Sequence, residues 1–145
     1  MENFKFTLPI QVRYGDLDPQ WHVNNARFLT YIEQARFSYQ IELGLFDGKS
    51  FQDLPFIVAD MHIVYLAPIT LLQNIVVGTR VTRLGNKSMK FEYRIEDRDS
   101  GQALATVENT MVTYDYHTLK SIPIPENVRT AIAAYEGIPA YPPEK

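Results

Sequence analysis

The sequence predicts an α+β domain in which a mostly antiparallel sheet wraps around one long helix. Three observations carry this. Near the N-terminus, and again along the second half of the chain, apolar residues alternate with polar ones, the period of half-buried strands. One stretch, residues 25–43, has a helical period instead. The later strands follow one another through short turns with no helix between them, which favours antiparallel pairing over an alternating α/β order.

In the first strand Phe4, Phe6, Leu8, Ile10, Val12 and Tyr14 alternate with Lys5, Thr7, Pro9, Gln11 and Arg13. Pro9 has no N–H to give a neighbour, so this strand is expected at an edge. The Asp-x-Asp-Pro chemistry of residues 15–22 then breaks the pattern. In the long helix Phe28, Ile32, Ala35 and Tyr39 share one face, with Asn24 as N-cap and Gly44 at the C-cap. Tyr31, Phe37 and Ile41 lie off that face, so sheet is expected around much of the helix. Glu33 would then be partly buried and paired with Arg36 or Arg13. Residues 45–55 read as a loop or short helix. Strands are expected over 56–66, 75–82, 90–96 and 102–116, with a turn at Asp99-Ser100-Gly101. Pro125-Glu126 starts a short helix through Ala134, and Pro139, Pro142 and Pro143 end it, leaving 137–145 as a loose tail. Residues 1–145 read as a single domain.

Composition narrows the function classes. Apolar content of 46% and charged content of 21% are those of an ordinary globular protein. A chain of this size buries about 68–70% of its unfolded surface, so it needs no staples. It has no cysteine, which excludes disulfides, thiolate metal sites and cysteine nucleophiles. No apolar run approaches the ~20 residues of a membrane span. Residues 1–5 lack the pattern of a signal peptide, and a cytoplasmic location is expected. A net charge of −3 argues against nucleic acid as a partner.

The chemistry concentrates between Val12 and Asn25, where Asp16, Asp18, His22, Asn24 and Asn25 crowd into a strand-to-helix turn. Backbone N–H groups at a helix start are unpaired, and the helix dipole adds partial positive charge there. A carboxylate beside such donors suits attack on a polarised carbonyl. Asp18 is the candidate catalytic carboxylate, as base or nucleophile, and the N–H near Asn25 the candidate oxyanion donor. On spacing alone Asp-Pro is a common turn pair, and a lone loop histidine such as His22 is more often structural. His22, His62 and His117 are too scattered for a metal site, and no cofactor is expected. Arg80, Arg83, Lys87 and Lys90 bracket a turn and read first as a solvated face.

These residues resemble the 4-hydroxybenzoyl-CoA thioesterase family. The stretch Val12-Arg13-Tyr14-Gly15-Asp16-Leu17-Asp18, followed by His22-Val23-Asn24-Asn25, is similar to its opening motif. The likeness continues through Tyr31-Ile32-Glu33-Gln34-Ala35-Arg36 and returns weakly at 58–68, at 85–93 and in the last long strand. The resemblance implies a hotdog fold, a five-stranded antiparallel sheet around one long central helix. It implies hydrolysis of an acyl-CoA thioester, with Asp18 as the catalytic carboxylate, the Asn25 N–H as oxyanion donor and His22 and Asn24 in support. It implies a homodimer paired through residues 57–66, often doubled to a tetramer, with active sites between chains. The family's CoA-binding basic triplet matches Gly85-Asn86-Lys87 before Ser88, so Lys87 is the cation it retains. Trp21 stands where the family usually has glycine. It is expected to hold the turn without glycine's left-handed freedom and to project into the acyl or pantetheine path as a substrate contact.

Two other readings are carried. A hotdog hydratase or dehydratase also joins Gly-Asp, Asn-Pro and His, but here Asp18 stands where its Asn would fall and Trp21 adds a residue before His22. A non-catalytic, thioester-binding homodimer would follow if Trp21 blocked the loop.

Overall fold

The computed structural model describes residues 1–49 and 55–143, so part of the 45–55 loop lies outside the described residues. In chain order it runs β1 (Phe6–Gln11), α1 (Asn25–Glu42), β2 (Phe56–Tyr65), β3 (Asn74–Leu84), β4 (Ser88–Asp97), β5 (Ala103–Asp115), β6 (Lys120–Ser121) and α2 (Glu126–Glu136). The sheet order is β1-β3-β4-β5-β2, every pairing is antiparallel, and β6 adds to the end of β5. The expected α+β architecture stands, with a sixth strand of two residues. The strand over residues 4–14 is shorter than its alternation, because Tyr14–Asp16 form a 3-10 turn.

Pro9 reads correctly: β1 is an edge strand and pairs with β3 alone. At the other edge β2 pairs only with β5, and its ladder is broken by a bulge between Val58 and Asp60. There the Asp60 carboxylate takes the Thr110 N–H at 2.7 Å and the Thr110 hydroxyl at 3.0 Å, which replaces the lost ladder bond. These hydrogen bonds hold the Asp60 carboxyl below the usual carboxylate range.

α1 starts and stops as its caps dictate. The Asn24 side chain accepts the Ala26 N–H at 2.9 Å. At the far end the Gly44 N–H reaches Ile41 O and the Leu45 N–H reaches Gln40 O, with Gly44 at φ +73°, a Schellman ending. Phe28, Tyr31, Ile32, Ala35, Arg36, Tyr39 and Gln40 are buried. Tyr39 meets Phe6, Phe91 and Tyr135 edge-on, with centroids within 5.9 Å, which joins both helices to the sheet. The cover is one-sided: Ala26, Thr30, Glu33 and Ile41 are exposed. The expected Glu33 ion pair does not form, because Glu33 points to the open face, while Arg36 is buried and donates to the Tyr93 hydroxyl at 3.4 Å. Burial pushes the Tyr93 phenol up to about 12, with Arg36 pulling the other way.

The expected loose tail is anchored at Ala140 and Tyr141. Arg129 on α2 is only 3% exposed and donates to three carbonyls, Ala140 O, Gly85 O and Asn86 O. Its guanidinium also lies 4.5 Å from the Tyr141 ring centroid. Arg129 thus clamps the β3–β4 turn and the tail to α2. Arg129→Met should strand these carbonyls and lower stability by about 2–4 kcal/mol, read as an earlier urea midpoint at unchanged slope.

Candidate active site

The turn between β1 and α1 is a small hairpin. Leu17 bridges Val23, the Asp18 N–H donates to His22 O at 2.9 Å, and the Trp21 N–H donates to Asp18 O at 3.0 Å. Asp at the first turn position and Pro after it suit a tight turn whose last residue is left-handed. That last residue is Trp21, at φ +63°. This corrects the sequence expectation: the turn keeps the backbone geometry that favours glycine and imposes it on a tryptophan.

The two aspartates have separate tasks. Asp16 is structural: its Oδ2 accepts the Arg13 N–H at 3.0 Å and the Tyr31 hydroxyl at 2.7 Å, and its backbone carbonyl accepts the Asn24 N–H at 2.8 Å. Burial, then the bond to Asp16, pushes the Tyr31 phenol far up. Asp18 places Oδ1 against the Gln20 N–H at 2.9 Å, so the turn-forming reading holds for that oxygen. Among the described residues its other oxygen has no protein partner.

The donors at the start of α1 can be accounted for one by one. Asn24 N–H goes to Asp16 O, Ala26 N–H to the Asn24 side chain and Arg27 N–H to Asn24 O. Among the described residues, the Asn25 N–H alone of these has no acceptor, which leaves it free to donate to a ligand. The Asn24 side-chain oxygen is committed to the cap. Asp18, Gln20, His22, Val23 and Asn25 line one side of a cavity of about 480 Å³. Phe28, Tyr65, Leu66, Ala67 and Pro68 line the other. Asp18, His22 and Asn25 are therefore brought together, as the sequence reading required.

Sequence reasoning missed Tyr65. Its hydroxyl donates to the Asn25 carbonyl at 3.0 Å and its ring stands edge-on to Phe28 at 5.0 Å, tying the end of β2 to the first turn of α1. The only signal available was an aromatic residue three positions before Pro68. Lys87 and Ser88 do not join this cavity. They sit at the β3–β4 turn, where Ser88 is level with Val112 and hence with the Phe56 end of β2. Tyr65 is at the opposite end of that strand, about 30 Å away at ~3.3 Å per residue. Of the remaining cations, Arg80 pairs with Glu92 and Lys90 donates to Thr110, as a solvated face would.

An antiparallel sheet packed on one long helix is the hotdog architecture that the sequence predicted. The chain belongs to the thioesterase-like superfamily, whose family model matches residues 12–132. It is 31% identical over 125 residues to the long-chain acyl-CoA thioesterase FadM of Escherichia coli, covering 83% of this chain and 91% of that protein. It is 29% identical over 128 residues to the acyl-CoA thioesterase YbgC of Haemophilus influenzae, covering 87% and 93%. Among solved structures, a thioesterase from Thermus thermophilus complexed with coenzyme A and zinc superposes with a TM-score of 0.83 at 35% identity, covering 96% of this chain and 99% of that one.

Asn24→Ala removes the α1 cap and should cost about 1 kcal/mol, measured by urea unfolding. It also leaves the Ala26 N–H without its acceptor beside the Asn25 N–H, and turnover of an acyl-CoA should fall with the stability.

Proposed function

We propose that this protein hydrolyses acyl-CoA thioesters to a carboxylic acid and CoA, without a metal, using Asp18 and the Asn25 N–H. The observation that carries the reading is the single unpaired donor at the start of α1 sharing a cavity with the uncommitted oxygen of Asp18. The thioester carbonyl oxygen takes the Asn25 N–H, and the helix dipole favours the negative charge that develops there. Asp18 either draws a proton from the attacking water or attacks the carbonyl carbon itself, giving a mixed anhydride that water opens. In both routes the C–S bond breaks, CoA leaves as the thiolate and takes up a proton. His22, whose carbonyl accepts the Asp18 N–H, lines the same cavity.

The working unit in this proposal is a homodimer paired through β2, with a tetramer as a doubling of it. β2 is an open edge strand, and Val58, Val64, Tyr65 and Leu66 along it and just past its end are exposed. A two-fold axis that pairs β2 antiparallel with its copy sets the Tyr65 end of one chain beside the Phe56 end of the other. Lys87 and Ser88 of the partner subunit then approach the Asp18 cavity from its open side. This gives a reason for cavity and basic turn to be far apart within one chain. Lys87 would meet a CoA phosphate as a single cation.

Asp18→Asn keeps size and removes charge. Thiol release from acyl-CoA should fall by about a hundredfold or more while the far-UV spectrum is unchanged, and a chelator should leave the wild-type rate intact. Wild-type protein that binds acyl-CoA without releasing thiol would instead support the non-catalytic binding reading. Single-turnover hydrolysis in heavy-oxygen water tests the covalent route: label in the Asp18 carboxylate marks a nucleophile, whereas label only in the product acid fits a general base or an anhydride that water opens at the acyl carbon.

The composite site has its own test. Mixing Asp18→Asn chains with Lys87→Ala chains makes hybrid dimers with one site free of both changes. At sub-saturating acyl-CoA, activity should recover above the mean of the two parents. Recovery that never exceeds that mean would place both residues in one chain's site.

A further inference from the structure

Tyr65 lines the Asp18 cavity, and the chemistry above makes no use of its hydroxyl. Its backbone is fixed to the sheet. Tyr65 is in register with Ala105, and the N–H groups of Leu66 and Ala67 that follow it both donate to Leu104 O, at 2.9 and 3.2 Å. Its ring stands edge-on to Phe28, and its hydroxyl donates to the Asn25 carbonyl at 3.0 Å. The same segment holds the active-site turn a second time, where the Val23 N–H donates to Ile69 O at 2.8 Å. Between these ties the Asn24 N–H is fixed on Asp16 O. The peptide that carries the Asn25 N–H is therefore held on both sides.

The task of the hydroxyl follows from its donors and acceptors. A phenol has one O–H to give, and Tyr65 spends it on Asn25, so it is not itself a second oxyanion donor. A helix start has spare N–H groups but no spare carbonyls, so the Asn25 carbonyl needs no side-chain donor to be satisfied. Tyr65 is 43% exposed, so water is also at hand for its hydroxyl and the bond adds little to stability. What the bond provides is the position of Asn25.

We infer that Tyr65 is the positioning residue of the oxyanion donor: through the Asn25 carbonyl it aims the Asn25 N–H, and so it sets the rate of the chemical step without setting substrate affinity. This rests on the thioesterase reading above and deepens it. The carbonyl oxygen of a bound thioester meets a donor whose direction is fixed before charge develops, and a donor that swings loses part of that stabilisation. Without the hydroxyl, the Asn25 N–H is still free to donate, but Asn25 is no longer tied to the sheet. The aromatic wall of the cavity, Phe28 and the ring of residue 65, stays in place.

Tyr65→Phe removes the hydroxyl and keeps the ring beside Phe28. With an acyl-CoA substrate, at protein concentrations where the rate per chain is constant, kcat should fall about tenfold and KM should stay within about twofold. Affinity for S-ethyl-CoA, a thioether with no carbonyl, should also hold, measured by calorimetry. The thermal midpoint should move by no more than about 2 °C. In nitrogen-15 relaxation the Asn25 amide should gain mobility, while the Ala26 amide, held by the Asn24 side chain, does not. The pH–rate profile should keep its shape, because a phenol acting as an acid would add a limb that the variant loses. Tyr65→Leu, which removes the ring as well, should also raise KM and lower the midpoint. An unchanged kcat, a rise in KM in its place, a midpoint that falls in step with the rate, or a pH limb lost from Tyr65→Phe would each overturn the inference and leave the hydrolase reading intact. A wild-type protein that releases no thiol from any acyl-CoA would overturn both.

Discussion

The active end of the molecule depends on the Asp16 carboxylate. Asp16 bonds backward to the Arg13 N–H, forward through its carbonyl to the Asn24 N–H, and sideways to the Tyr31 hydroxyl on the second turn of α1. One residue thus fixes the exit from β1, the start of α1 and the angle between them. The bond to Tyr31 is partly buried, where competition from water is reduced. Because Asp16 supplies this stiffness, Asp18 need not. A single hydrogen bond to Gln20 orients Asp18 and leaves an oxygen for chemistry. In the proposed mechanism the Asp-x-Asp pair is a structural carboxylate followed by a reactive one, two residues apart on a hairpin that holds both.

The same logic explains the donor. A helix start presents several unpaired N–H groups. A site needs one of them aimed at the substrate and the others occupied, because a loose set would bind water or distort the turn. Asn24 does most of the occupying, with its side chain on Ala26 and its carbonyl on Arg27, while Asp16 takes the N–H of Asn24 itself. What remains is the Asn25 N–H, and Tyr65 steadies that residue through its carbonyl. The selectivity of the cap thus leaves one donor for the proposed oxyanion site.

Much of this was legible in the sequence because it is local. Pro9 marks an edge strand by lacking a donor, Asn24 and Gly44 mark the ends of α1, and Asp-x-Asp-Pro marks the turn. The cavity follows once strand, turn and helix are placed, since Asp18, His22 and Asn25 lie within eight residues of one another. What was not legible depends on contacts between distant segments. The tail looks free from its prolines, yet it is held by Arg129, whose acceptors are backbone carbonyls that carry no side-chain signature. Glu33 looked buried because apolar residues ring the helix, but the single sheet covers one side only. Tyr65 is forty residues from Asn25 and offers no pattern that points there. The backbone of Trp21 is set by the hairpin bonds of Asp18, His22, Leu17 and Val23, which impose the turn whatever residue stands at its last position.

Placing a reactive turn at one end of the sheet and a basic turn at the other has a consequence for the assembly. Within one chain the cavity is walled by Tyr65 and Leu66, at and just past the end of β2, and the basic turn lies at the other end of the sheet. In the proposed dimer, pairing two open edges antiparallel would meet three needs together. It satisfies the unpaired backbone of β2. It covers Val64, Tyr65 and Leu66, which are exposed in the single chain. It also sets the β3–β4 turn of one subunit against the Asp18 turn of the other. A device that served only to hide an edge would be satisfied by a bulge and a charge, and Asp60 at the Val58–Asp60 bulge already supplies both. The bulge lies toward the Phe56 end, beside the exposed Val58, whereas Val64, Tyr65 and Leu66 lie at the other end, beside the cavity. In the proposed dimer, the end of β2 that carries Val64, Tyr65 and Leu66 is where the site would take a second wall.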